Sequence, residues 1–123
     1  MKFVCTLIKA DTPTMNNRVY SKECMESIVE DIRKDIKEDK AIIYKHNSNV
    51  QFTPNLMDAI GTMNEANLEE DMITIDGELL SEQELPSDSF ELIPVVQGKL
   101  DGDKVIDAKF HYMTLALKES YNG

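Results

Sequence analysis

The chain has 123 residues and carries 23 acidic against 13 basic side chains, which gives a formal net charge of −10 at pH 7. This charge argues against binding to the nucleic-acid backbone, because that binding needs clustered Lys and Arg to release counterions. The length fits one domain whose core needs no disulfide or metal staple, and no apolar run is long enough to span a bilayer.

An apolar run from Phe3 to Ile8 begins the chain and predicts a central β-strand, because both of its faces are apolar. The polar pair Asn16-Asn17 follows and predicts a chain reversal, since Asn tolerates the left-handed backbone region. Ser21 then stands where a helix N-cap is expected. The helix it predicts has one apolar stripe, formed by Met25, Ile28, Val29, Ile32 and Ile36.

Strand and turn patterns follow the helix. Residues 41–46 predict a second strand, and residues 57–66 and 72–80 predict a hairpin joined by residues 67–71. In the second half of that hairpin, Ile73, Ile75 and Leu79 alternate and are expected to face inward.

The last third of the chain predicts two more strands. Pro94 cannot donate a ladder hydrogen bond, so the apolar run around it predicts an edge strand or a bulge. Asp101-Gly102 predicts a turn, and Val105 to Leu117 a long final strand. One face of that strand is expected to carry Ile106, Ala108, Phe110 and Tyr112.

Together these elements predict an α+β fold with a mainly antiparallel sheet, for which a barrel-like form is open, and one long amphipathic helix. We expect residues 1–117 to form a single domain and residues 118–123 a short tail. Cys5 and Cys24 stand among apolar neighbours, which favours small buried residues in a reducing compartment over a disulfide. The start of the chain lacks a secretory signal pattern, so a cytoplasm is expected as the place of synthesis.

Motifs that carry chemistry are few. The run Asp101-Gly102-Asp103 with Asp107 lacks the spacing of a calcium loop, and a hairpin turn explains it. Gly-rich phosphate loops and paired metal-ligand motifs are missing, so no cofactor and no metal are expected. His46 and His111 are, by residue type alone, more often structural than catalytic.

The order of these elements resembles the prohead, or head maturation, serine proteases of tailed bacteriophages. The family turn usually reads Asn-Gly-Arg-x-Tyr-Pro, and residues 16–21 read Asn-Asn-Arg-Val-Tyr-Ser. Asn17 thus takes the Gly position and Ser21 the Pro position. Residues 57–80 resemble the central hairpin of the family, and residues 98–117 resemble its closing strands.

The resemblance also implies site residues. The catalytic His of the family matches His46, although Asn47 follows it where Pro is common. The family nucleophile is a Ser on the strand that aligns with residues 92–96, and this chain has no Ser there. If the alignment to the family is shifted by a few residues, Ser87 or Ser89 takes the position of the nucleophile instead. His111 would then be the third member of a triad, as in the similar herpesvirus assemblin proteases.

We therefore expect a catalytically inactive relative that serves as an auxiliary or cement component of the capsid, or as part of the head-assembly core. Its partners would be the major capsid protein or other head proteins, with no nucleic acid and no membrane, and homo-oligomerisation stays open. Its location would be the virion, after synthesis in the host bacterial cytoplasm. Two alternatives remain: an active protease with His46 as its base, and an acidic phage inhibitor of a host enzyme.

Overall fold

The computed structural model describes residues 1–10, 19–46, 54–80, 89–102 and 104–117. Within these ranges the chain forms one α-helix, seven strands and a short 3-10 turn at Leu56–Asp58. In chain order the main elements are β1 (Lys2–Lys9), β2 (Val19–Tyr20), α1 (Lys22–Lys37), β3 (Ile42–Lys45), β4 (Ala59–Glu69), β5 (Met72–Leu79), β6 (Phe90–Asp101) and β7 (Lys104–Leu117).

The described strands form one mixed sheet, in which β7 pairs with three other strands. The order runs β1-β5-β4-β3-β7, β6 pairs along the other edge of β7, and β2 pairs with the start of β7. The β2 and β3 pairings with β7 are parallel, and all the others are antiparallel. The mixed sheet curls into a half-barrel, which agrees broadly with the predicted α+β class. Four of its six described pairings are antiparallel.

Strand β1 lies at one end of the sheet, so its predicted central position is wrong. It pairs with β5, and across the curl Phe3 meets Phe90 of β6 edge to face, with ring centroids 5.5 Å apart. The register shifts next to Leu7, and both Leu7 and Ile8 are buried, whereas Val4 is 64% exposed. Both faces of β1 are therefore apolar in sequence for two reasons: the bulge turns two consecutive apolar residues inward, and Val4 is exposed.

Helix α1 begins at the predicted cap. The backbone N–H of Cys24 donates to the Ser21 hydroxyl at 3.3 Å, a bond typically worth about 1 kcal/mol. Ile36, the last residue of the predicted stripe, is only partly buried against the core. Burying one large apolar side chain stabilises the fold by roughly 1.5–3 kcal/mol. The buried residues of the helix are Cys24, Met25, Ile28, Val29 and Ile32.

Two charged side chains of α1 also bind the sheet. Arg33 Nε donates to the carbonyl of Ala66 on β4 at 2.9 Å. On the other side, Asp31 Oδ2 accepts from the backbone N–H of Phe110 on β7 at 3.3 Å. The helix therefore fixes β4 and β7 relative to each other, with β3 between them.

The β4–β5 hairpin is confirmed, with a tighter turn than expected. Glu70 and Asp71 alone connect the strands, and Glu70 takes a left-handed φ of 54°. Ile73, Ile75 and Leu79 are buried, as their alternation predicted. The first three residues of the predicted connection, 67–69, belong to β4.

Strand β6 bears out the edge position predicted from Pro94. Among the described strands it pairs with β7 alone, and Pro94 stands opposite Met113. Pro94 is half-buried, and Leu92, two positions before it, is 1% exposed. An edge strand accommodates Pro because one of its sides needs no ladder donor.

The prediction that Ile106, Ala108, Phe110 and Tyr112 share one face of β7 is wrong for the first and the last of them. The pairing of β6 with β7 skips Ile106 and again His111, so each position is a bulge that reverses the alternation. Ile106 is consequently 52% exposed, while Val105 before it is buried. Tyr112 lies on the face opposite to Phe110, which belongs to the core.

Both cysteines are free, as expected, but only Cys24 is fully buried. Burial raises the pKa of the half-buried Cys5 thiol to about 11, and the nearby carboxylates Glu91 and Asp76 add to this. The thiol therefore stays protonated at neutral pH. The predicted turn at residues 16–17 and the tail at 118–123 lie outside the described residues, and the single domain over residues 1–117 stays a prediction.

Candidate functional site

His46 follows β3 directly and is held against β7. Its backbone N–H donates to the carbonyl of Leu115 at 3.0 Å, which extends the parallel pairing of the two strands by one step. The ring is half-buried. The strand pairing thus fixes the backbone from which the imidazole extends.

The ring of His46 bonds to a residue that the sequence did not single out. Its Nδ1 lies 3.4 Å from the hydroxyl oxygen of Thr114 on β7, and that hydroxyl donates to the carbonyl of Ile93 on β6 at 2.7 Å. Because a carbonyl can only accept, the hydroxyl proton of Thr114 is donated to Ile93 and is not donated to His46. The network therefore assigns the ring proton to Nδ1 and leaves a lone pair on Nε2.

This arrangement contains two of the three parts of a nucleophilic site. In a site of this kind, Nε2 of His46 would be the base, and Thr114 would orient the ring through Nδ1. The third part would be a hydroxyl or thiol at Nε2. Thr114 cannot be that part, because it is 3% exposed and gives its proton to Ile93.

Ile93 stands on β6 directly opposite Thr114. Opposed residues of an antiparallel pair point to the same face, with their Cβ atoms roughly 4.5–5.5 Å apart. Ile93 is therefore the β6 residue that accompanies Thr114 on the face of the sheet next to His46. Its side chain has no atom that can attack a carbonyl.

Of the alternative triad, the structure describes Ser89 and His111. Ser89 precedes β6 and is 4% exposed, and β7 lies between β6 and the strand that leads to His46. Ser87 lies outside the described residues. His111 bonds through Nε2 to the Gln97 side chain at 3.2 Å, so the orienting position beside His46 belongs to Thr114.

Two tyrosines cover the same face of the sheet next to Thr114. The rings of Tyr44 and Tyr112 meet edge to face with centroids 5.6 Å apart. Burial raises the pKa of the Tyr44 hydroxyl, and neighbouring Tyr112 raises it further. Tyr44 pairs with Thr114 in the β3–β7 register, so the aromatic pair forms one wall of the site.

A cavity of about 520 Å³ opens at the end of the sheet beside His46. Most of its wall is apolar, and Leu79 and Leu115 contribute to it from the main core. A cavity of this size suits one or a few large side chains. The residues that line it are Lys45, His46, Ala59, Ile60, Leu79, Leu80, Leu115, Ala116 and Leu117.

The described part of the chain holds no group of three or more His, Cys, Asp or Glu side chains that could bind a metal ion. Over the same residues, no helix is both long and apolar enough to cross a bilayer.

The fold matches a solved structure, that of the bacteriophage T4 capsid assembly protease gp21. The match has a TM-score of 0.65 at 14% sequence identity and covers 92% of this chain and 80% of that chain. Neither a protein-family model nor a curated protein sequence matches the chain. The chain therefore has a prohead-protease-like fold, as the resemblance implied.

Proposed function

We propose that this chain is a non-enzymatic component of a phage head, either an auxiliary or cement protein of the capsid or part of the head-assembly core. The observation that carries the proposal is the incomplete site. His46 has an orienting partner in Thr114, but residues 92–96 of β6 contain no Ser, and Ile93 opposite Thr114 carries no group that can attack a carbonyl. A serine protease cannot work without an attacking hydroxyl.

Two further observations support the head as the setting. The solved structure that shares this fold is itself a capsid assembly protease, which makes a related role in the head a reasonable use of the scaffold. The net charge of −10 also favours docking onto a basic protein surface. The proposed partner is therefore the major capsid protein or another head protein with a basic face.

The test is to quantify this chain in purified immature heads and in mature, full particles by mass spectrometry. A cement protein is expected at a fixed copy number in both. A core protein is expected in immature heads and is lost on maturation. Absence from both kinds of particle contradicts the proposal and favours an acidic inhibitor that acts on a host enzyme.

An active protease is the second candidate, and one observation favours it. The hydrogen bond from Nδ1 to Thr114 leaves Nε2 of His46 free to accept a proton, as a catalytic base requires. The attacking hydroxyl would then come from Ser87 or Ser89, the two serines just before β6. The two candidates differ in whether any serine of the folded protein reacts.

A further inference from the structure

The two Asp-Gly dipeptides of the chain lie in opposite structural settings. Asp101 ends β6 and Gly102 begins the turn to β7, and both residues are exposed. Asp76-Gly77 lies inside β5, which pairs with β1 on one side and with β4 on the other. In an Asp-Gly dipeptide the aspartate side chain reaches the next backbone nitrogen with little obstruction, because glycine has no Cβ.

The surroundings of Gly102 leave room for a ring between the two residues. Gly102 has a left-handed φ of 66°, and a Cβ built on it would meet no atom within 4 Å. Asp101 stands opposite Lys104 of β7, and no described strand lies along the outer side of β6. A bend in the backbone at this point therefore disturbs only the last pair of one ladder.

Gly77 has no such room. It is buried, and it stands opposite Phe3 of β1 and opposite Met63 of β4. A Cβ built on it would lie 2.7 Å from the carbonyl oxygen of Thr62 and 2.8 Å from the ring of Phe3. A ring between Asp76 and Gly77 would bend the strand and leave buried backbone groups without their partners, which is costly. The sheet is therefore expected to keep this dipeptide in its normal linkage.

We propose that Asp101 is a site of spontaneous isoaspartate formation, whereas the sheet protects Asp76 from the same reaction. The backbone nitrogen of Gly102 attacks the carboxyl carbon of the protonated Asp101 side chain. The amide proton and the carboxyl hydroxyl leave as water, and a five-membered succinimide forms. Water then reopens the ring at either carbonyl, which gives aspartate or isoaspartate. The reaction requires only these two residues and water, so it holds whatever the function of the chain.

Isoaspartate at position 101 would alter the end of the β6–β7 hairpin. The new linkage adds one methylene group to the main chain and turns the former backbone carboxyl into the side chain. Because Asp101 and Lys104 form the last pair of the ladder, the change should disturb that pair. Val105, the next residue of β7, is buried and should stay in place. We therefore expect the converted chain to remain folded with a changed hairpin tip.

The experiment incubates the folded full chain slightly below neutral pH and follows both dipeptides by peptide mapping with mass spectrometry. The succinimide is recognised by the loss of one water, and isoaspartate by an unchanged mass with a shifted retention time. We expect the products to accumulate at Asp101 about tenfold faster or more than at Asp76, which corresponds to a barrier difference of about 1.4 kcal/mol. In the urea-unfolded chain the two sites should react at similar rates, because Gly follows both.

Two variants test the ring mechanism. Asp101→Glu keeps the charge but would need a six-membered ring, so products at position 101 should fall below detection. Asp101→Asn offers an amide, which is a better electrophile than a carboxylate, so conversion through the same ring should be faster and release ammonia. Equal rates at Asp101 and Asp76 in the folded chain overturn the proposal. Undiminished conversion in Asp101→Glu, or no product at Asp101 under conditions that convert the unfolded chain, overturns it as well.

Discussion

Ile32→Ala is expected to lower the free energy of unfolding by roughly 2–5 kcal/mol, the range for truncating a large core side chain. Ile32 has 0% exposure and sits on α1, whose core face packs against the sheet. Its loss leaves a cavity where the charged anchors Arg33 and Asp31 restrict how far the helix can settle onto β4 and β7. Urea unfolding monitored by circular dichroism measures the change.

Ile106→Ala is the matched control for this prediction, because it removes the same atoms from a residue that is 52% exposed. A change within about 0.5 kcal/mol is expected there. The sequence pattern alone placed Ile106 on the core face, so the pair also tests the bulge in β7. A loss at Ile106 as large as that at Ile32 would contradict the β6–β7 register.

Thr114→Val should destabilise the fold by roughly 1–3 kcal/mol. The substitution keeps the shape of the side chain but removes the hydroxyl that donates to Ile93 and accepts from His46. A buried acceptor left without its donor costs about that amount. Thr114 is 3% exposed, so water cannot easily replace the lost bond.

Thr114→Ser is the control for that prediction, since it keeps the hydroxyl and loses only a methyl group. It should recover most of the stability lost by the Val variant. Nuclear magnetic resonance adds a readout that packing alone does not move: the His46 Nδ1 signal should change in the Val variant and stay close to its original position in the Ser variant. Equal stability of the Val variant and the original protein would contradict the network.

Local patterns were sufficient for much of the fold. Ser21 marks the start of α1 because an N-cap depends on residues close in sequence, and Ile73, Ile75 and Leu79 mark the inward face of β5 because strand alternation is local as well. Pro94 likewise marks an edge strand through its missing donor. Each of these predictions depends on chemistry within a few residues.

The features that the sequence did not predict depend on pairing between distant segments. Ile106 and Tyr112 were assigned to the core face because nothing in β7 alone indicates where β6 skips a residue. The position of β1 at the end of the sheet depends on β5, which lies far along the chain. Bulges and strand order are properties of pairs of strands.

The candidate site likewise has one residue that the sequence indicates and one that depends on pairing between distant strands. His46 could be singled out because the resemblance to a protease family points to the His after the helix. Thr114 was missed, because its link to His46 arises from the parallel pairing of β3 with β7 and no motif spans that distance. The only local indication is a Thr within the apolar run from Met113 to Leu117, where a buried hydroxyl needs a partner.

The most direct test of the proposed role is labelling of the folded protein with a serine-reactive phosphonate, followed by mass spectrometry to locate the adduct. We predict no labelling at any serine, and no difference between the original protein and His46→Ala, because under the proposed role His46 activates no hydroxyl. Denatured protein treated in the same way controls for non-specific reaction. Stoichiometric labelling at Ser87 or Ser89 that His46→Ala abolishes would contradict the non-enzymatic role and identify the chain as an active protease.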